Sequence, residues 1–381
     1  MSEKRSIFED VSHSGRPDAT MTAGAISRPR GARHGIRAWL VVLAALLVLM
    51  IAVGGMTRLT DSGLSITEWR PVTGAIPPMS EAAWEAELEK YRQIPQYQQL
   101  NRGMSMSEFK TIYWWEWGHR QLGRVIGLVW AVGFAGFLLA RQIPAGWVPR
   151  MLWVGALGGL QAVIGWWMVS SGLEGERLFV APYRLATHLG LAFVILGYIA
   201  WYVFELSRSQ ADLLQARRAR DRKLFGMGTG LMHLSFLQIL LGALVAGVHA
   251  GRIYTDWPLM NGQFLPPFAF DLEPLWRNFF ENHSLVQFMH RMVGYVLFIF
   301  GLAVWWAARK SANAATRRAF GLMALVLVGQ VVLGIVTLIN AAPVNLSILH
   351  QIGAIALFGA ILWARFSAQY PPAQSVRGAK A

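Results

Sequence analysis

Eight long apolar segments constrain the fold of this 381-residue chain more than any other feature of its sequence. Each is near the ~20 residues that an α-helix needs to cross a bilayer. They lie at about 38–57, 113–140, 151–171, 186–206, 225–248, 286–308, 319–340 and 348–366. Hydrophobic residues make up 54% of the composition, which is typical of a membrane protein. The sequence therefore predicts an all-α polytopic membrane protein with eight transmembrane helices.

The formal net charge of +14 follows the predicted topology and does not indicate a nucleic-acid partner. The N-terminal tail, residues 1–37, is polar and basic, and further basic clusters lie at 217–223, 309–310 and 317–318. If the tail is inside, all of these segments face the cytoplasm, as the positive-inside rule requires. We therefore predict that both termini are cytoplasmic, with a disordered tail at 1–37 and a second tail at 367–381.

The chain divides into two similar halves at a basic cytoplasmic linker, residues 207–224. Residues 38–206 and 225–366 contain four spans each, and the sequence at 161–165 (Gln-Ala-Val-Ile-Gly) parallels that at 330–334 (Gln-Val-Val-Leu-Gly). Because an even number of spans returns the chain to its starting side, both halves enter the membrane in the same direction. We predict two four-helix bundles that form a parallel repeat about an axis along the membrane normal.

Four histidines occupy matching positions in the two halves, each expected within the first turns of a span that starts at the outer surface. His119 and His188 belong to the second and fourth spans of the first half, and His290 and His350 to their counterparts in the second. Polar imidazoles are costly in hydrocarbon, so their recurrence predicts ligand sites. In an up-down-up-down bundle the second and fourth helices lie diagonally across the core. Each histidine pair could therefore hold one flat metallo-macrocycle through two axial bonds to a single iron.

The chain contains no cysteine. This excludes disulfides, thiolate metal ligands, iron–sulfur clusters and thioether attachment of haem. Any metal must therefore be held by histidine, methionine or carboxylate side chains.

Small residues stand four positions after the four histidines: Gly123, Ala192, Gly294 and Ala354. A small residue there clears the helix face for a porphyrin, although close helix packing would favour the same residues.

Arg120 and Arg291 directly follow two of the histidines. Their guanidinium groups could bind haem propionates in bidentate fashion, or they could snorkel to the membrane interface.

Glu116 distinguishes the two halves. It precedes His119 by three residues, whereas the corresponding position before His290 holds Gln287, which cannot ionise. A carboxylate at the membrane edge is a functional-site hypothesis, and here it would give only the first pocket a proton-transfer group. The alternative is a structural hydrogen bond to Arg120 or to a histidine ring nitrogen.

Two long outer segments, at about 58–112 and 249–285, lie beside the predicted sites. The first continues into a polar stretch at 80–92 that is predicted to form an amphipathic helix. Loops of this length could close over the sites as lids, or they could be ordered surface.

Several separate motifs together resemble those of the haem A synthase family. They lie at 54–65 (Gly-Gly-Met-Thr-Arg-Leu-Thr-Asp-Ser-Gly-Leu-Ser), 116–120 (Glu-Trp-Gly-His-Arg) with 123–124, 289–291 (Met-His-Arg) with 294–295, and 349–351 (Leu-His-Gln). The resemblance covers residues 38–366. Other members of the family carry a cysteine pair in the first outer loop, so a thiol redox role cannot apply to this cysteine-free chain.

The resemblance implies an oxidoreductase of a bacterial inner membrane that oxidises the C8 methyl of haem O to a formyl group. The product would be haem A for the assembly of terminal oxidases. A resident haem b would be bound by His290 and His350, with Arg291 and Gly294 beside it. Partners implied in this way are a haem O synthase, an electron donor and a further copy of the chain.

The same resemblance places the substrate in the first half. Haem O would be held by His119 and His188, with Arg120 and Gly123 beside it. Glu116 would act in catalysis, in agreement with its replacement by Gln287 in the second half.

Two other classes of protein share some of these features. A di-haem b-type electron carrier to quinone would use the same histidine pairs, but it gives no reason for Glu116 to face Gln287 across the repeat. A secondary transporter with a parallel repeat would place ionisable residues at mid-depth, whereas here they gather at the outer edge.

Overall fold

The computed structural model describes residues 30–374, with side chains from residue 33 onward. Eight of its helices are long and apolar enough to cross a membrane, which confirms the predicted number of spans. They are α1 (Arg30–Leu59), α4 (Met106–Leu139), α5 (Val148–Leu173), α6 (Pro182–Leu206), α8 (Arg222–Gly247), α10 (His283–Ala308), α11 (Ala314–Ile339) and α12 (Val344–Gln369). Four shorter helices lie between them: α2 (Glu81–Arg92), α3 (Pro95–Gln99), α7 (Gln210–Arg218) and α9 (Asn278–Glu281).

Local sequence signals set the helix ends. The Ser105 side chain accepts a hydrogen bond from the backbone N–H of Glu108, and the Glu108 carboxylate accepts one from the backbone N–H of Ser105. This capping box starts α4. The helices α8, α10 and α11 each have a single N-cap side chain that accepts a hydrogen bond from a backbone N–H of the first turn. These N-cap residues are Asp221, Asn282 and Asn313. Polar caps satisfy backbone N–H groups that would otherwise face the membrane edge without partners.

Several helices extend past the predicted spans. The helix α4 begins seven residues before the predicted start at 113, because the capping box precedes the apolar run in the sequence. The helix α1 begins at Arg30, so its first eight residues fall in the segment that we predicted to be tail. The predicted tails at 1–29 and 375–381 lie outside the described residues.

Within each half, the four long helices contact one another in a ring. The helix α1 packs against α4 and α6, and α5 packs against the same two helices. In the second half, α8 and α11 each pack against both α10 and α12. The helices that carry the histidines, α4 with α6 and α10 with α12, therefore stand opposite each other. The parallel relationship of the two halves stays a prediction.

The halves meet along α1 and α6 on one side and α8 and α12 on the other. Phe193 of α6 contacts Phe358 of α12 edge to face, with ring centroids 5.5 Å apart. Gln351 donates a hydrogen bond from Nε2 to the carbonyl oxygen of Ile51, 2.7 Å away. One continuous apolar core therefore joins the halves, and it contains buried residues of both.

The first outer segment is ordered and has a core of its own. The predicted amphipathic helix is confirmed as α2, whose N-cap is Ser80. Its buried Leu88 and Tyr91 pack with Phe109 and Tyr113 at the start of α4, and the Tyr91 and Phe109 ring centroids are 5.5 Å apart. This packing holds the segment over the outer end of the first half.

Candidate functional site

The four predicted ligand histidines lie on the four helices that face one another within the halves. His188, His290 and His350 lie within about two turns of the first residue of α6, α10 and α12. His119 is thirteen residues after Met106, the first residue of α4. The expectation that His119 lies in the first turns of its helix is therefore wrong, because α4 extends seven residues before the predicted span and packs on α2 there.

The histidines of the second half face each other directly. The ring centroids of His290 and His350 are 6.5 Å apart, and the ring planes cross at 81°. Two metal–imidazole bonds of about 2 Å each, with the distance from each bonded nitrogen to its ring centre, span about 6 Å. The separation therefore fits two axial ligands on one metal ion. In the first half, His119 and His188 lie on α4 and α6, which stand opposite each other in the ring of four helices.

Each histidine ring rests on a glycine of the preceding long helix. If a Cβ atom is built on these glycines, it falls within about 3 Å of a ring carbon. The distances to Cε1 are 2.7 Å for Gly54 and His119, 2.8 Å for Gly165 and His188, 3.2 Å for Gly242 and His290, and 2.9 Å for Gly334 and His350. A side chain at any of these positions would push the imidazole out of place.

Three glutamines hold three of the histidines. Gln161, Gln238 and Gln330 donate from Nε2 to the backbone carbonyl oxygens of His188, His290 and His350, at 2.9, 3.0 and 2.9 Å respectively. The same Nε2 atoms lie 3.2 Å from the Nδ1 atoms of the histidine rings. Sequence reasoning used Gln161 and Gln330 only as markers of the repeat and missed Gln238. The recurring spacing Gln-x-x-x-Gly was the signal that could have found all three.

Glu116 is buried and fully engaged. Its Oε2 accepts hydrogen bonds from Ser65 Oγ at 2.7 Å and from the backbone N–H of Ile66 at 2.9 Å. Its Oε1 accepts from Arg120 Nη2 at 2.6 Å and Nε at 3.1 Å. The bond to Arg120 that the sequence left open is therefore present. The bonds from Ser65 and Ile66 to Glu116 join the first outer segment to α4.

Gln287, the counterpart of Glu116, binds the second outer segment as a hydrogen-bond donor, whereas Glu116 binds the first as an acceptor. Gln287 is buried and donates from Nε2 to the carbonyl oxygen of Tyr254 at 2.9 Å. Where the first half presents a backbone N–H, that of Ile66, the second presents a backbone carbonyl. The carboxylate in one half and the amide in the other each match the backbone group that they meet.

The two arginines next to the histidines bind loop backbone. Arg120 donates to the carbonyl oxygens of Ile66 and Glu68, and Arg291 donates to those of Tyr254, Asp256 and Leu259. Neither simple snorkelling nor an isolated anion site describes these contacts. Each guanidinium clamps an outer segment to the helix that carries a ligand histidine.

A cavity of about 230 Å³ lies beside this clamp in the first half. Its walls include Arg120, Arg124, Glu68 and Tyr113. Arg124 donates to the carbonyl oxygens of residues 70 and 71. The cavity therefore lies between the first outer segment and α4, and its lining carries both arginine and glutamate side chains.

Gly123 and Gly294, predicted to clear a face for a porphyrin, meet side chains of the preceding long helix. A Cβ atom at Gly123 would lie 3.2 Å from Met50 Cε, and one at Gly294 would lie 3.2 Å from Gln238 Nε2. Contact of these glycines with haem stays a prediction. Gly127, one turn further along α4, has open space at its Cβ position.

His249 links the two halves. Its Nε2 lies 3.2 Å from Asp61 Oδ1, and Arg58 Nη2 lies 3.0 Å from the same ring. Burial raises the pKa of Asp61, but the hydrogen bond from His249 and the charge of Arg58 outweigh it, so the pKa lies below its usual value. The cluster ties the end of α1 to the end of α8.

Eight helices that are long and apolar enough to span a membrane, with one histidine pair in each half, define a multi-pass helical membrane protein. Among residues 30–374, no three side chains of the usual metal-binding types cluster. A metal whose other ligands come from a macrocycle fits such pairs better than a bare ion.

Comparison of the sequence with known proteins identifies the family to which the chain belongs. A model of the cytochrome oxidase assembly protein family matches residues 37–362. The chain is 62% identical over 377 residues to the haem A synthase of Ruegeria sp. (strain TM1040), covering 98% of this chain and 99% of that protein. It is 59% identical over 376 residues to the haem A synthase of Paracoccus denitrificans (strain Pd 1222), with 98% and 99% covered. The chain belongs to the haem A synthase family.

Proposed function

We propose that this membrane oxidoreductase converts the C8 methyl of haem O into the formyl group of haem A. The observation that carries the proposal is the near full-length identity to haem A synthases, together with a histidine pair in each half. A quinone-linked di-haem carrier gains no support, since the named relatives are synthases. The bound iron supplies the redox chemistry of C–H oxidation. The side chains bind, orient and shield the reacting methyl.

The second half holds a resident haem b between His290 and His350. The 6.5 Å separation of their rings supports this assignment, because it accommodates one iron. Gln238 and Gln330 fix the backbone of both ligands. Arg291 keeps the second outer segment over this site.

The first half receives haem O at His119 and His188. Arg120 and Arg124, which follow His119 on α4, line the cavity beneath the first outer segment, and their guanidinium groups would favour the carboxylates of haem propionates. Gly123 and the open space at Gly127 lie on the same helix as His119. The first outer segment, clamped by Arg120, shields the site from water.

Glu116 serves two roles at the substrate site. It anchors Ser65 and Ile66, and it keeps a carboxylate one helical turn from His119. To take up a proton during oxidation of the methyl, the carboxylate would exchange one of its bonds to Arg120 or Ser65. Gln287 has no such capacity, which is consistent with a resident haem in the second half.

The enzyme acts in a bacterial inner membrane with both termini in the cytoplasm. Exposed apolar residues such as Leu128, Val132 and Leu325 on the long helices face the lipid. The sites then lie towards the outer surface. A haem O synthase supplies the substrate, a separate donor supplies electrons, and further copies of the chain can associate.

Chromatography of haem extracted from the purified protein tests this function. Expression without a haem O synthase should give haem b alone, and co-expression should add haem O with hydroxylated or formyl haem. His290→Ala should remove haem b, and His119→Ala should remove haem O. His283→Ala is the matched control, because His283 is exposed on the same helix as His290. Haem b alone under both conditions, at two per chain, would instead favour the electron carrier.

A further inference from the structure

The four histidines share one supporting motif, and one of the four copies differs. In α5, α8 and α11 a glutamine stands four residues before the glycine under the histidine ring: Gln161 with Gly165, Gln238 with Gly242, and Gln330 with Gly334. In α1 the glycine under His119 is Gly54, and the position four residues earlier holds Met50.

Met50 takes the place of a glutamine in space as well as in sequence. Its Cε lies 3.2 Å from the Cβ position of Gly123, four residues after His119. Gln238 Nε2 lies 3.2 Å from the Cβ position of Gly294, four residues after His290. A thioether methyl therefore occupies the site that an amide NH₂ group occupies in the other half.

The exchange removes every hydrogen bond that the motif makes. An amide donates to the histidine carbonyl and lies beside the ring nitrogens, whereas a thioether has no hydrogen to donate. Among the described residues, the buried Nδ1 of His119 has no hydrogen-bond partner. His188, His290 and His350 each have the glutamine Nε2 within 3.2 Å of Nδ1. His119 is thus held by packing alone.

We propose that Gln161, Gln238 and Gln330 are positioning residues for three haem ligands, and that Met50 leaves His119 as the exchangeable ligand. The inference rests on the proposed function. A resident haem needs two fixed ligands, and the second half supplies them. A haem that enters as substrate and leaves as product needs one ligand that releases it readily, and the first half combines the fixed His188 with the unfixed His119.

Haem transfer from the full-length enzyme to apomyoglobin tests the inference without turnover. The enzyme is loaded with both haems and kept oxidised without reductant. The haem that moves is identified by chromatography as haem O or haem b. In the wild type, haem O should leave faster than haem b. Removal of a group that orients a metal ligand typically changes metal affinity by about 10–100-fold, which sets the scale of the effect.

Met50→Gln should slow haem O transfer by about tenfold, because the new amide can reach the carbonyl and ring of His119. Met50→Leu is the matched control and should keep the wild-type rate, since it keeps an apolar side chain. The reciprocal change Gln238→Met should speed haem b transfer by about tenfold while haem O transfer is unaltered. If Met50→Gln does not fold, Gln238→Met and Gln330→Met decide the question.

The two levels of the hypothesis fail differently. If His119→Ala and His290→Ala each keep both haems, the ligand assignment is wrong, and the inference falls with it. If co-expression with a haem O synthase gives haem b alone, the proposed function itself is wrong. If those variants lose haem O and haem b respectively, the ligand assignment holds. Wild-type transfer rates in Met50→Gln and Gln238→Met would then overturn the inference alone, as would a Met50→Leu enzyme as slow as Met50→Gln.

Discussion

Glu116 and Arg120 form an ion pair one helical turn apart, with 2.6 Å between Oε1 and Nη2, and each also binds the first outer segment. The carboxylate holds the N–H of Ile66, and the guanidinium holds its carbonyl oxygen. The pair thus fixes both backbone groups of a single loop residue. The candidate catalytic acid therefore also anchors the first outer segment. Substitutions must separate its role in proton transfer from its role in anchoring.

Replacement of Glu116 by Gln should spare haem b and lower product formation at least about 100-fold, the usual contribution of a proton-transfer group. Formyl haem per enzyme is the measurement. Ser65→Ala is the companion variant, because it removes one bond to Glu116 and leaves the acid in place. If Ser65→Ala abolishes the product as fully as Glu116→Gln, the carboxylate acts through the loop. Equal loss of haem b in Glu116→Gln would show a purely structural role.

A methyl group at Gly334 should weaken retention of the resident haem about tenfold, the scale on which disturbed metal ligands lose affinity. The new Cβ would lie 2.9 Å from His350 Cε1, so the ring must move. Gly329→Ala on the same helix meets no atom of residues 30–374 within 4 Å and provides the control. The b-type absorption per chain reports the result. Equal b-type absorption for Gly334→Ala and Gly329→Ala would contradict the role of Gly334 in leaving space for the His350 ring.

Arg291→Leu should lower the free energy of unfolding by about 3 kcal/mol, because three carbonyl oxygens lose a charged donor. Arg291→Lys should be intermediate, since an ammonium group lacks the planar fork that spans several acceptors. Thermal unfolding in detergent gives the stability, and limited proteolysis at residues 253–274 gives the order of the segment. A protease-resistant segment in Arg291→Leu would show that the clamp is dispensable.

The contact between Asp61 and His249 should make stability fall at low pH. The pKa of Asp61 in the folded chain lies below its ordinary value of 3.8, so its contribution is present above that pH. It is lost as the pH falls through the lower, folded pKa. Wild type should therefore exceed Asp61→Asn in melting temperature at neutral pH, and the two should converge below about pH 4. A constant difference between them across the acid range would exclude this ionisation.

The sequence predicted the spans and the four histidines because both depend on local pattern. Apolar runs near 20 residues and imidazoles in register can be found without knowledge of contacts. The position of His119 within its helix was misjudged because the apolar run does not reveal that α4 starts at a capping box seven residues earlier.

The roles of Arg120 and Arg291 could not be predicted, since they depend on where the outer segments return to the helices. A guanidinium beside a predicted haem site suggests propionates, whereas these two guanidinium groups bind backbone carbonyls of residues 32 to 54 positions away. Gln238 and Met50 were missed for a different reason. Each acquires meaning only when four helices are compared at one depth, and only two of the four copies had been aligned.

The first outer segment is held by the Tyr91 and Phe109 packing, by α2 and by the Glu116–Arg120 pair, in a chain without cysteine. Its shape is consequently independent of thiol oxidation. Dithiothreitol or a thiol-blocking reagent should leave the covered site unchanged, and a host without disulfide-forming enzymes can produce the folded protein. In this chain, oxidative damage to the first outer segment would have to begin at side chains other than cysteine, such as methionine, tryptophan or tyrosine.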